Sequence, residues 1–128
     1  MGRVSSVGER YRVRNDTRGT VLAERALRAT NAWQRMVGLM FSAELPAGEA
    51  LLLEPCASIH MFFMRYPIDV VFLSREHSVV GLVPTIAPWR MTRFFRGARI
   101  AVELPAGVIQ RSATLLGDTL SLETVERA

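Results

Sequence analysis

The sequence predicts a mainly β protein with a compact, mostly antiparallel, barrel-like sheet and one or two short helices. From about residue 50 onward, the chain breaks into short apolar runs rich in Val, Ile, Leu and Phe. Pro, Gly or Ser separates these runs. No helical segment between them is long enough for repeated parallel crossovers, which is typical of antiparallel sheets.

Length and composition indicate one domain, which we place at residues 9–125, with a flexible amino terminus at residues 1–8. The chain has 128 residues, and 49% of them are hydrophobic, which is enough to build a packed core. No apolar run reaches the roughly 20 residues that cross a bilayer, so no transmembrane segment is expected. Cys56 is the single cysteine, and no secretory signal leads the chain. A cytoplasmic location is therefore expected.

The first strands are predicted to form a hairpin. Tyr11 and Val13 alternate with arginines, as in a half-buried strand. Asn15–Gly19 contains turn-forming residues, and Thr20–Leu27 is the predicted return strand. Further strands are predicted at Ala50–Leu53, Ser58–Met64, Ile68–Leu73, Val79–Val83 and Arg99–Leu104, with a last one near Leu120 and Leu122.

Two helices are predicted. Asn31–Phe41 carries apolar residues at helical spacing, and Asn31 is suited to cap its start. Gly107–Ala113 is predicted as one short helix after Pro105, which ends the preceding strand.

Four motifs in order resemble one prokaryotic family. They are Arg35–Phe41, Ser58–Phe72, Val102–Gly107 and Leu116–Asp118. This order and spacing is similar to the family called domain of unknown function one hundred and ninety-two, over nearly the whole chain. The resemblance implies a compact, β-rich, barrel-like single domain. It brings no activity, substrate or cofactor with it.

Three polar residues, His60, Arg65 and Asp69, interrupt an apolar run, where burial is costly without a partner. If Tyr66-Pro67 is the tip of a two-residue hairpin turn, His60 and Asp69 stand about 13 Å apart along the ladder. Arg65 and Asp69 then lie close together across the turn. We therefore expect an Arg65–Asp69 staple, with the mouth of a binding pocket as the alternative.

A catalytic interpretation remains open beside this one. A hydrolase-like site would use His60 as a base with Asp69 or Glu103, or would use Cys56 as a nucleophile. On an extended strand Cys56 is also about 13 Å from His60, which argues against that pair. No ligand spacing indicates a metal, and no cofactor is expected.

Trp89–Arg99 interleaves four arginines with three aromatic residues. This pattern suits a loop whose aromatics cover the core, a protein-binding surface, or a site for bases and phosphates. The net charge of +4 is spread along the chain, and every basic residue is arginine. Nucleic acid is therefore the least favoured partner.

The working hypothesis is a non-catalytic binding module with a cleft near Arg65, Asp69 and Glu103. Its ligand would be an unidentified small molecule or protein. The candidate site residues are Arg65, Asp69, Glu103, His60, Trp89 and Arg93. The alternatives are the hydrolase-like enzyme and a protein-interaction subunit that uses the Trp89–Arg96 loop. In the last case, Phe94 and Phe95 would both contact the partner.

Overall fold

Seven strands and one short helix lie within the residues that the computed structural model describes, which are 10–29, 45–62 and 64–125. The strands are β1 (Arg10–Asn15), β2 (Thr20–Arg28), β3 (Glu49–Leu53), β4 (Ile68–Leu73), β5 (Val79–Ile86), β6 (Ile100–Pro105) and β7 (Leu120–Val125). The helix is α1 (Val108–Ser112), between β6 and β7. The predicted Asn31–Phe41 helix and the predicted flexible terminus at 1–8 lie outside the described residues.

The strands form one sheet in the order β5-β4-β6-β3-β2-β1-β7. Every neighbouring pair is antiparallel except β2 and β3, which run parallel in the register Ala26↔Ala50. The predicted β1–β2 hairpin is confirmed, with Asn15 opposite Thr20. The sheet is thus mixed but mostly antiparallel, as predicted.

The sheet curls into a half-barrel, because its two edge strands meet where each begins. Ser78, just before β5, bridges to Thr119, just before β7. The amide of Val79 donates to the carbonyl of Asp118 at 2.8 Å, and the amide of Gly117 donates back to Val79 at 2.9 Å. Beyond these residues the edges separate. Pro84 is tolerated inside β5 because an edge strand has one side that needs no hydrogen bonds.

Strand β4 is buried on both faces, which explains its uninterrupted apolar sequence. Val71 and Leu73 point to one core cluster, together with Val108 and Ile109 of α1. Val70 and Phe72 point to a second cluster on the opposite face. The pleat therefore assigns alternate residues of β4 to two separate cores.

The predicted strand Ser58–Met64 and its hairpin with β4 are wrong. β4 pairs with β5 and β6, while residues 59–61 run antiparallel to residues 90–92. His60 makes one isolated bridge, to Met91. Ile59 and Met61 are buried in the second cluster, so this segment covers the outer face of the sheet instead of extending it. The alternation of apolar residues in this segment results from burial against the face of the sheet, not from strand pairing.

Candidate functional site

Asp69 is a structural junction between three segments. Its side chain is 0% exposed. Oδ1 accepts a hydrogen bond from the amide of Thr85 at 2.8 Å, and Oδ2 accepts from the amides of Gly107 at 3.1 Å and Ile109 at 2.8 Å. The carboxylate therefore joins β4 to β5 and to the start of α1. Its hydrogen-bonding capacity is largely used by the backbone.

The expected Arg65–Asp69 staple is not among the ion pairs of the described residues. Arg65 is exposed, whereas Asp69 is fully buried. The donors to Asp69 are instead the backbone amides of Thr85 in β5 and of Gly107 and Ile109 at the start of α1. Backbone amides thus stabilise the carboxylate that was predicted to pair with the Arg65 guanidinium.

Glu103 lies on the other face of the sheet from Asp69. It is 1% exposed and stands opposite Val70 on β4. Asp69 stands opposite Leu104, and paired residues of neighbouring strands share a face. The sheet therefore separates the two carboxylates that were predicted to line one cleft, and the two do not converge on a single ligand.

The His60 side chain is exposed, and its contacts are with residues other than Asp69 and Glu103. Its Nδ1 accepts a hydrogen bond from the amide of Phe62 at 3.3 Å. No hydrogen bond joins His60 to Asp69 or Glu103 within the described ranges. The Cys56 thiol donates to the carbonyl of Ser58 at 3.2 Å. These contacts offer no observation in favour of the hydrolase-like alternative.

The rings of His60, Phe62 and Trp89 form a row on the surface of the protein. The His60 and Phe62 ring centroids are 4.8 Å apart, with planes inclined by 33°. The Phe62 and Trp89 centroids are 6.1 Å apart, with planes inclined by 28°. Phe62 is 38% exposed and Trp89 is 58% exposed. The backbone holds the row in place, since the Trp89 amide donates to the carbonyl of Met61 at 2.7 Å.

Met91 and Phe94 continue this exposed apolar surface. They are 65% and 68% exposed. The amide of Thr92 donates to Ile59 and that of Phe95 to Ala57, so residues 89–95 follow residues 57–61 in the opposite direction. We define the aromatic–arginine surface as His60, Phe62, Trp89, Met91 and Phe94, together with the exposed Arg65, Arg90, Arg93 and Arg96, each within three residues of one of them in sequence.

Phe94 and Phe95 have opposite roles, which corrects their treatment as one pair. Phe95 is 7% exposed, and its ring stacks on Phe72 at a centroid distance of 4.5 Å. The guanidinium carbon of Arg93 lies 4.3 Å from the Phe95 ring centroid. Phe95 is therefore a core residue, and Phe94 alone of the two is available to a partner.

The aromatic–arginine surface is strongly positive. Neither residues 55–68 nor residues 87–99 contain an Asp or a Glu. Arg99 pairs with Glu54 at 3.3 Å, and Glu54 also pairs with Arg28 at 2.7 Å. Arg65, Arg90, Arg93 and Arg96 have no ion pair with a carboxylate in the part of the chain that the structure describes. Within the described residues, four guanidinium groups therefore lie near exposed apolar side chains in sequence without a carboxylate partner.

A buried polar network joins the β1–β2 turn to the segment between α1 and β7, and sequence reasoning missed it. Asp118 accepts from Nε of Arg18 at 3.0 Å and from Nδ2 of Asn15 at 3.0 Å. The hydrogen bond from Arg18, followed by that from Asn15, lowers the pKa of Asp118 to about 2. Asn15 also donates to Thr114 at 3.0 Å. The sequence signals were that Asn15 begins the predicted Asn15–Gly19 turn and that Asp118 belongs to the Leu116–Asp118 motif.

A groove of about 330 Å³ lies between β2, the turn at Ala47-Gly48 and α1. Its charged lining residues are Glu24 and Arg111. None of the sequence-predicted site residues lines it. Across residues 10–29, 45–62 and 64–125, no three His, Cys, Asp or Glu side chains converge as metal ligands. No described helix is long and apolar enough to cross a membrane.

Comparison with known proteins identifies the family. The model of DUF192, described as "Uncharacterized ACR", matches residues 13–122. This chain belongs to that family. A UPF0127 protein of Thermococcus sibiricus is 35% identical over 116 residues, covering 88% of this chain and 75% of the relative. A UPF0127 protein of Pyrococcus furiosus is 35% identical over 111 residues, covering 83% of this chain and 93% of the relative. The resemblance predicted from the four motifs is confirmed.

Two solved structures share the fold of this DUF192 member. A protein of Sinorhizobium meliloti, described as a proposed transcription regulator, has a TM-score of 0.74 and 22% identity, covering 94% of this chain and 98% of that one. A protein of unknown function from Novosphingobium aromaticivorans has a TM-score of 0.71 and 20% identity, covering 88% and 83%. At these identities the likeness establishes the architecture alone.

Proposed function

We propose that this protein is a non-catalytic binding module that contacts another protein through the aromatic–arginine surface. The observation that supports this most directly is the concentration of exposed Phe62, Trp89, Met91 and Phe94 on two hydrogen-bonded segments. Aromatic residues, Met and Arg are the side chains enriched at the centres of protein interfaces. A stable sheet beneath the surface keeps the rings in place before binding, which reduces the entropy cost of association.

This proposal moves the binding site away from the cleft predicted near Arg65, Asp69 and Glu103. Asp69 is committed to backbone amides, and Glu103 is buried on the opposite face. Trp89 and Arg93 of the predicted set belong to the new surface, as do His60 and Arg65. The binding function therefore rests on residues outside the strands, carried by loops on a rigid scaffold.

Site-specific photo-crosslinking tests the proposal. A photoreactive phenylalanine analogue replaces Phe94 in one variant and Leu116 in a control variant. Leu116 is a suitable control because it is 64% exposed, against 68% for Phe94. Leu116 lies between α1 and β7, outside the two segments that carry the aromatic–arginine surface.

The crosslinked partner is then purified and its affinity measured by titration calorimetry. We expect Phe94→Ala and Met91→Ala each to weaken binding about tenfold or more, as hot-spot truncations do. Leu116→Ala should leave the affinity unchanged, and all variants should melt within a few degrees of the parent. Equal crosslinking at positions 94 and 116, or unchanged affinity of both surface variants, would overturn the proposal.

A further inference from the structure

We infer that the partner covers the aromatic–arginine surface with an acidic segment that carries large apolar side chains. This inference rests on the proposed function and names the chemistry of the partner. The starting observation is the charge pattern: four arginines without a carboxylate partner among the described residues, in two segments that supply no exposed acid. A protein segment rich in Asp and Glu is the complementary occupant.

Desolvation explains why the carboxylates must come from the partner. Arg90 and Arg96 are exposed and flank the exposed Met91 and Phe94 in sequence. A neutral apolar partner that covered Phe94 would also remove water from the neighbouring guanidinium groups, without replacing their hydration. A partner that brings carboxylates restores those hydrogen bonds, and bidentate Arg–carboxylate pairs are among the stronger polar contacts. Affinity for an acidic segment should therefore exceed affinity for a neutral one.

The ring geometry favours a protein over single-stranded nucleic acid. Bases bind by stacking on open aromatic faces. Phe62 and Trp89 stack at a centroid distance of 6.1 Å, and the His60 ring is tilted by 33° against Phe62 at 4.8 Å. The ring faces that these residues turn toward one another are therefore not open to a base, whereas the ring edges and the flexible Met91 side chain offer an irregular apolar relief. Such a relief suits Leu, Ile or aromatic side chains of a peptide.

Selection from a random peptide library displayed on phage tests the inference, with the full chain as the target. Synthetic peptides that represent the enriched sequences are then compared with matched peptides in which Asn and Gln replace Asp and Glu. We expect the acidic peptides to bind at least tenfold more tightly than the neutral ones by fluorescence anisotropy. Raising the salt concentration from about 0.05 M to about 0.5 M should remove most of this difference in affinity, because the Debye length falls to a few ångströms.

Arginine variants locate the charge effect. Arg90→Gln and Arg96→Gln should each weaken the acidic peptide about threefold to tenfold and leave the neutral peptide unaffected. Arg75→Gln is the control, because Arg75 is an exposed arginine in the loop between β4 and β5. Arg93 is left unchanged, since its guanidinium packs on the core ring of Phe95.

The outcomes separate this inference from the proposed function. If Phe94→Ala abolishes binding but the neutral peptides bind as tightly as the acidic ones, the surface binds protein and the acidic partner is wrong. If the enriched peptides bind Phe94→Ala and Met91→Ala as tightly as the parent, the proposed function itself is wrong. Tighter binding to a single-stranded oligonucleotide, or to vesicles of anionic phospholipid, than to any acidic peptide would also overturn the inference.

Discussion

The carboxylate of Asp69 on β4 accepts a hydrogen bond from the backbone amide of Ile109 in α1 at 2.8 Å, across 40 positions of sequence. Together with the amides of Thr85 and Gly107, this contact fixes the helix and the end of β5 against the centre of the sheet. The negative charge is stabilised by three convergent donors, in the way that carboxylates are stabilised at helix starts.

Replacing Asp69 should therefore destabilise the fold. Asp69→Ala removes the acceptor of three amides, and each buried donor left without a partner costs about 1–3 kcal/mol, so a total loss of roughly 3 kcal/mol or more is expected. Asp69→Asn keeps one carbonyl oxygen and should lose less. Urea unfolding measures both, with the exposed Glu76→Gln as control. Unchanged stability of Asp69→Ala would contradict this structural role of the carboxylate.

The Arg18–Asp118 contact predicts a specific pH dependence of stability. The pKa of Asp118 is about 2 in the folded protein and about 3.9 in an unfolded chain. The unfolded state therefore binds more protons in this interval, and the stabilisation is complete above about pH 4 and lost as the pH falls through about 2. Arg18→Gln raises the folded-state pKa toward the unfolded value.

The free energy of unfolding of Arg18→Gln should accordingly fall less steeply between pH 4 and pH 2 than that of the parent. Urea titrations at several pH values give this slope. Part of the slope should remain, because Arg28 and then Arg99 lower the pKa of Glu54 as well. Identical slopes in the two proteins would contradict the assignment to Asp118.

Asn15 is predicted to be specifically intolerant of a negative charge. Its Nδ2 donates to Asp118 and Thr114, and its side chain is 0% exposed. Asn15→Asp would place a second carboxylate at hydrogen-bond distance from Asp118, and the repulsion should raise one of the two pKa values. The variant should therefore be less stable than Asn15→Ser at pH 7, and the difference between their free energies of unfolding should become smaller near pH 4. Urea unfolding at both pH values measures this difference, and a difference that is constant with pH would exclude repulsion as the cause.

Gly81 should resist substitution because of Phe95. A Cβ on Gly81 would meet Cδ1 of Phe95 and would lie 2.7 Å from its Cε1. Gly81→Ala is expected to cost about 1–3 kcal/mol, as overpacking does. Phe95→Ala alone should cost about 3–4 kcal/mol. In the Phe95→Ala background, Gly81→Ala should cause no further loss of stability. If thermal or urea unfolding shows that the losses of the two single variants add, the steric explanation is wrong.

Local pattern was enough to predict most of the sheet. The predicted strands Ile68–Leu73 and Val79–Val83 and the predicted helix Gly107–Ala113 correspond to β4, β5 and α1, although β5 continues to Ile86. These predictions follow from apolar runs and from the Pro and Gly residues between them. The same reasoning misassigned Ser58–Met64, because alternation of apolar residues reports a buried face and not a strand partner. Only the three-dimensional path shows that Ile59 and Met61 face the sheet from outside.

The candidate site was harder to predict because it depends on which residues are exposed. Phe94 and Phe95 are adjacent and identical, yet they are 68% and 7% exposed. Nothing in the local sequence distinguishes them, since their difference arises from Phe72 and Gly81 on β4 and β5. Likewise, the separation of Asp69 from Glu103 depends on the register between β4 and β6, which the sequence does not specify.

The pairing of β1 with β7 has a consequence for how the chain is made. Arg10 stands opposite Val125, so the first and last strands of the sheet are neighbours. During synthesis β1 has no partner on this side until β7 leaves the ribosome, although β2 is available almost at once. Closing so long a loop is slow. Until then the edge of β1 is open to pairing with another chain, and its arginines at positions 10, 12 and 14 supply charge of the kind that deters edge-to-edge association.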